Sequence, residues 1–121
     1  MTPAWRTCEG TWCRFASVVL PDPPAAGILL VWSGQRERRC VYLAQGGIAT
    51  NLKWARQFPP ILEHGDLFVT WATVPEDHQS GIRNYLIARL SPLFCDRASD
   101  DPPIPVELPW NQEPGVRGAV G

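Results

Sequence analysis

Cations able to offset phosphate charge stand close together in the first half of this sequence: Arg36, Arg38 and Arg39 in one polar stretch, then Lys53 and Arg56 three positions apart. Such a set suits backbone contacts to a polyanion. It also suits a solvated loop, since Glu37 is interspersed. Tyr42 lies inside the apolar run Cys40-Val41-Tyr42-Leu43-Ala44, where a tyrosine buries its ring and finds a partner for its hydroxyl. His64 and His78 are lone, with no cysteine or carboxylate at ligand spacing. The four cysteines, Cys8, Cys13, Cys40 and Cys95, form no C-x-x-C pair and no zinc pattern. Free thiols are expected, with Cys40 acting as a small hydrophobe.

The elements that must position these residues are written between clusters of proline. Pro21-Asp22-Pro23-Pro24, Pro59-Pro60 and Pro102-Pro103-Ile104-Pro105 mark the boundaries. Ile28–Trp32 and Cys40–Ala44 are continuous apolar runs separated by polar residues 33–39, which predicts two antiparallel strands buried on both faces. Ile48, Leu52 and Ala55 follow at helical spacing, giving a helix from about 48 to 57 stopped by Pro59, with Lys53 and Arg56 on another of its faces. Leu67–Val74 reads as a third strand. Asp77 is placed to cap a helix carrying Ile82, Tyr85, Leu86, Leu90 and Leu93 on one stripe, ending near Ser91 before Pro92. In the tail Ile104, Val106, Leu108 and Trp110 alternate, as in a strap lying across the domain. The expected class is α+β, a small, mostly antiparallel three-stranded sheet flanked by helices.

With 121 residues the chain has the length of one domain. Apolar residues are 45% and charged residues 19%, a globular balance. Net charge is −1, so no global basic field draws nucleic acid, but residues 1–60 carry +4 and residues 61–121 carry −5. No apolar run approaches a membrane span and the N-terminus lacks a signal-peptide core, so a cytoplasmic location is expected. Of the six tryptophans, Trp32 and Trp71 lie in strands, while Trp5, Trp12 and Trp110 fall outside and would anchor the termini. An exposed tryptophan would instead offer a base-stacking surface.

Gly27-Ile28-Leu29 followed by Val41-Tyr42-Leu43-Ala44-Gln45 resembles the paired signature strands of the GIY-YIG nuclease superfamily. Gly47-Ile48-Ala49-Thr50-Asn51-Leu52 looks like the start of that family's first helix, Gly81-Ile82-Arg83-Asn84-Tyr85-Leu86-Ile87 like its later helix, and Leu90-Ser91-Pro92-Leu93 like that helix's close. The resemblance divides the chain into an N-terminal extension, 1–25, packed on the core, a GIY-YIG-like domain, 26–96, and a proline-rich tail, 97–121. It implies cleavage of the DNA backbone, with a tyrosine orienting water, a helix arginine stabilising phosphoryl charge and a glutamate holding one divalent ion. Carried over position by position, most of that set is missing. Leu29 stands at the first tyrosine, Tyr42 at the second, Ala44 at the glycine that follows, Asn51 at the arginine and Arg83 at the glutamate; the asparagine often found beyond the later helix falls near Cys95 or Asp96. Mg²⁺ needs hard oxygen ligands, and Arg83 in place of a carboxylate turns attraction into repulsion, several kcal/mol at ~4 Å.

The expectation is a non-catalytic GIY-YIG-like domain that binds nucleic acid or a protein. Tyr42 is its one retained signature position, and Arg36, Arg38, Arg39, Lys53, Arg56 and Arg83 are the candidate phosphate contacts. No metal or cofactor is expected. A divergent endonuclease is the alternative, with Mg²⁺ held by Tyr42 and Glu76, Asp77 or Asp96. A protein-interaction subunit without a nucleic-acid role is the third reading, suggested by the near-neutral charge and the Trp/Pro-rich tail.

Overall fold

The computed structural model describes residues 3–20, 25–34 and 38–112. Its centre is the strand pair β2 (Ala26–Ser33) and β3 (Arg39–Gly47), antiparallel, with Leu30 opposite Leu43 and Val31 opposite Tyr42. A bulge between Val31 and Trp32 shifts the register by the end of the pair. β4 (Leu67–Thr73) runs antiparallel along the other side of β2. The expected α+β class holds, but the sheet is larger than expected. β1 (Cys13–Arg14) adds to β4, and β5 (Phe94–Cys95) adds to β3 in parallel, giving the mixed five-stranded order β1-β4-β2-β3-β5. Both additions are two residues long, too short to leave a period in the sequence.

Strand alternation divides the apolar side chains into two cores. Leu29, Val31, Tyr42, Val69 and Trp71 face α1 (Ile48–Ala55) and the short α2 (Pro59–Leu62). Ile28, Leu30, Trp32, Leu43 and Ala72 face α3 (Glu76–Leu90) and the termini. Pro59 and Pro60 therefore do more than stop α1: they open the next helix, where the missing N–H is harmless. Asp77 does not cap α3. The helix begins one residue earlier behind Pro75, and Glu76 and Asp77 both sit in its first turn, where carboxylates suit the helix dipole.

The tail is the strap its alternation suggests. Asn84 donates to the Ser99 and Asp101 carbonyls and accepts from the Ser99 N–H. The Ile104 N–H donates to the Gly81 carbonyl at 3.0 Å. A Cβ at Gly81 would come within 2.7 Å of Ile104 and of the Pro102 carbonyl, so the strap needs glycine there. This second cover explains why Gln79, Arg83 and Asn84 are buried on a helix whose sequence reads polar. At the other end the Trp5 indole donates to the Glu107 carbonyl, and Trp12 meets Trp32 and Trp110 edge-on.

The expectation of four free thiols is corrected. Glu9 and Gly10 both have positive φ, and Cys8 and Thr11 exchange backbone hydrogen bonds around them. This tight hairpin turn brings the Cα atoms of Cys8 and Cys13 to 5.1 Å, and the two are disulfide-bonded. Cys40 and Cys95 are free. Among the described residues no helix is long and apolar enough to cross a membrane.

Two stability outcomes follow. Gly81→Ala lifts the strap and lowers unfolding free energy by about 1–3 kcal/mol in urea titration, with earlier proteolysis of residues beyond 97. Reduction of the 8–13 disulfide costs about 2 kcal/mol by loop entropy, read as a lower melting temperature in dithiothreitol.

Candidate functional site

α1 packs on the β2–β3 pair, with Asn51 and Trp54 beside Tyr42. The start of α1 is fixed by the Ile48 N–H donating to Ala25, and Asn51 is fixed by its amide donating to the Gln45 carbonyl at 2.9 Å. At the other side, Ser91 closes α3 in the left-handed region, φ 46°, which turns the chain so that the Leu93 N–H reaches the Cys40 carbonyl. β5 then runs beside β3, with Phe94 opposite Tyr42 and Cys95 opposite Leu43. Between these elements lies an open cleft of about 540 Å³ whose walls include Tyr42, Asn51, Trp54, Phe58, Phe94, Cys95 and Asp96.

The walls are largely aromatic. Trp54 stacks on Phe58 at 4.7 Å and lies tilted against Tyr42 at 5.5 Å, while Phe58 meets Phe94 edge-on at 5.4 Å. Trp54 is 49% exposed, although Tyr42 and Phe58 adjoin it. Tyr42 is buried on the cleft wall. Burial, then the charge of Asp96, pushes the phenol up, so Tyr42 remains a donor at neutral pH.

The substituted positions fall in different settings. Leu29 is fully buried in the core beneath α1 and Ala44 is buried beside it. Asn51 shares the cleft with Tyr42. Arg83 lies on α3, buried, and donates to the Arg97 carbonyl at 3.1 Å. Its charge draws the Cys95 thiol down against the stronger effect of burial. The residues do not fit a Mg²⁺ site: the cleft wall carries one carboxylate, Asp96, and the position that should supply the anchoring carboxylate carries a guanidinium. Glu76 and Asp77 stand about two turns earlier on α3, on its exposed first turn. Among the described residues no group of three or more His, Cys, Asp or Glu is arranged to hold a metal.

The expected phosphate contacts do not share one surface. Arg36 lies outside the described residues. Arg38 stacks over Trp110 at 5.1 Å on the strap side of the sheet. Arg56 is on the other side, donating from Nε to the Phe15 carbonyl at 2.9 Å and from a terminal nitrogen to that of Val18 at 2.7 Å. Arg39 and Lys53 are exposed. Sequence reasoning missed Trp54, whose position on α1 next to Lys53 was the available signal; exposure depends on what β5 leaves uncovered.

Compared with protein-family models, curated proteins and solved structures, the chain matches none. The GIY-YIG resemblance thus rests on the residues themselves.

Thiol chemistry reports this geometry directly. Burial pushes Cys40 up to about 12, with smaller contributions from Cys95 and Arg39 of opposite sign. Cys95 is exposed, so iodoacetamide at pH 8 labels Cys95 and spares Cys40 until the protein unfolds. Because the Cys40 thiol is raised above its unfolded value, its neutral form is what folding favours. Its contribution is complete below about pH 8.5 and is lost as pH climbs toward 12, visible as a falling melting temperature.

Proposed function

We propose that the chain is a non-catalytic, GIY-YIG-like binding domain that takes an unpaired base of single-stranded nucleic acid in the cleft. The observation that carries this reading is Trp54, half-exposed at the mouth of an aromatic cleft and already stacked on one side by Phe58. An exposed indole held rigid by neighbouring rings is a stacking platform, and every base has a face to offer it. Asn51 and the Tyr42 hydroxyl add polar groups at the same opening. Duplex recognition has less support, because Arg38 and Arg56 are engaged on opposite sides of the sheet. Hydrolysis has less support because Leu29, Asn51 and Arg83 replace the groups that would handle phosphoryl charge.

The cytoplasmic location expected from the sequence is not carried into this reading. The Cys8–Cys13 disulfide opposes it, since reducing compartments keep such pairs as thiols.

The test is binding of a short single-stranded oligonucleotide followed by tryptophan fluorescence, beside a cleavage assay with Mg²⁺ and Mn²⁺. Trp54→Ala is expected to weaken binding by tenfold or more, matching about 1–3 kcal/mol per stacked base. The salt dependence should be shallow, reflecting few phosphate contacts. Metal-dependent cleavage abolished by Tyr42→Phe would overturn the reading in favour of a rebuilt endonuclease. Absence of oligonucleotide binding would transfer the cleft to a protein partner.

A further inference from the structure

Arg83 is 8% exposed, yet its charge has little to answer it. One terminal nitrogen donates to the Arg97 carbonyl, and Nε is buried with no acceptor among the described residues. The ion pair found among those residues joins Arg14 to Asp66 instead. A guanidinium carries a full positive charge and a planar fork of N–H donors. Holding it out of water against a single neutral carbonyl is unfavourable, and buried arginines are normally matched by a carboxylate or phosphate that takes the planar fork.

The surroundings say where such an anion would enter. Arg97, whose carbonyl Arg83 holds, follows Cys95 and Asp96, and those two residues belong to the cleft wall. β5 thus sends Phe94 to the aromatic side of the sheet edge, while Cys95 feels the Arg83 charge from α3. Ser80, one turn before Arg83, shares hydrogen bonds with the Gln45 side chain at the same edge. Asp96 is the opposing group: an exposed carboxylate on the wall that repels an incoming anion.

We propose that Arg83 is the anion-binding group of a nucleotide site straddling the β5 edge, taking the phosphate of a unit whose base lies against Trp54. The base half of this site rests on the cleft reading above; the anion half stands on Arg83 itself. The arginine that replaces a metal-binding carboxylate in the resemblance would then meet a phosphate directly rather than through a metal ion.

The experiment compares adenosine, adenosine 5′-monophosphate and inorganic phosphate on the whole chain, by tryptophan fluorescence and thermal shift at matched ionic strength. The monophosphate is expected to bind at least tenfold more tightly than adenosine, and phosphate to raise the melting temperature where chloride does not. Arg83→Gln should reduce the preference for the monophosphate to less than twofold while leaving adenosine affinity unchanged. Its unliganded melting temperature should not fall, because an unmatched buried charge has been removed. Arg83→Lys keeps the charge without the fork and should retain part of the preference. Asp96→Asn leaves the Arg83 contact intact and should tighten monophosphate binding at least twofold. Equal binding of adenosine and its monophosphate, or a preference that survives Arg83→Gln, would overturn the anion site while leaving the base cleft standing. Phosphate stabilisation that needs Arg83, without adenosine binding, would support the anion site and overturn the base cleft. A single-stranded oligonucleotide that outcompetes the monophosphate identifies a strand, rather than a free nucleotide, as the source of the phosphate.

Discussion

Everything in this molecule depends on β2 being buried on both faces. From Gly27 to Trp32 no residue reaches the surface, so one strand must be covered twice. Each buried Ile, Leu or Val contributes about 1.5–3 kcal/mol, and neither face alone holds enough of them to order a chain of this length. One face is covered by α1 and α2, joined by Cys13 and Phe15 from the N-terminal segment. The other is covered by α3, and Trp32 on that face, stacked on Phe68, is completed by the two ends of the chain, Trp12 from the start and Trp110 from the tail. Gly27 sits where β2 meets β4 most tightly: a Cβ there would come within 2.0 Å of the Ala72 carbonyl. The terminal extensions are thus part of the fold: the Trp5–Glu107 hydrogen bond and the Asn84 contacts hold them against the second face, while Cys13 and Phe15 pack into the first.

The same constraint decides what was legible in the sequence. Runs such as Ile28–Trp32 and Leu67–Val74 announce strands because continuous burial leaves only apolar residues, and Ile48, Leu52 and Ala55 announce α1 because its inner face repeats every turn. β1 and β5 carry no such signal, since two residues have no period. The 8–13 pairing was hidden because Glu9, a residue that rarely takes positive φ, does so beside Gly10. Charge is legible as type but not as direction. Arg38, Arg39, Lys53 and Arg56 are four cations of one segment, yet a strand and a helix send Arg38 to Trp110 and Arg56 to Phe15 on opposite sides of the sheet. Tyr42 and Asn51 were singled out and do share a cleft. Trp54, beside them, was not, because exposure of an aromatic depends on the length of a strand 40 residues away.

That length also explains why a cleft exists. β5 pairs with β3 for two residues only, so the outer edge of β3 is closed at Tyr42 and Leu43 and the rings beyond have no partner strand over them. Phe94 fills part of the space and props Phe58, which in turn supports Trp54. Lengthening β5 would bury these rings in an ordinary core. Its brevity follows from Ser91, whose left-handed backbone and the proline after it bring the chain back across the edge of β3 rather than along it.

Arg83 shows how far scaffold and site can be separated. α3 has its apolar stripe, Ile82 and Leu86, against the sheet, and nothing in that packing asks for an arginine one residue away. The strap could be held by Asn84, Gly81 and Ile104 alone, which already supply five hydrogen bonds between helix and tail. The Arg83–Arg97 bond adds one neutral acceptor to a full positive charge, a poor exchange for the water it displaces. A side chain that the fold does not need, placed where its charge is felt at the wall of an aromatic cleft, is explained by a ligand better than by stability. Asp96 sharpens the point: it stands on the cleft wall, next in sequence to the Arg97 whose carbonyl Arg83 holds, yet among the described residues it makes no ion pair with Arg83.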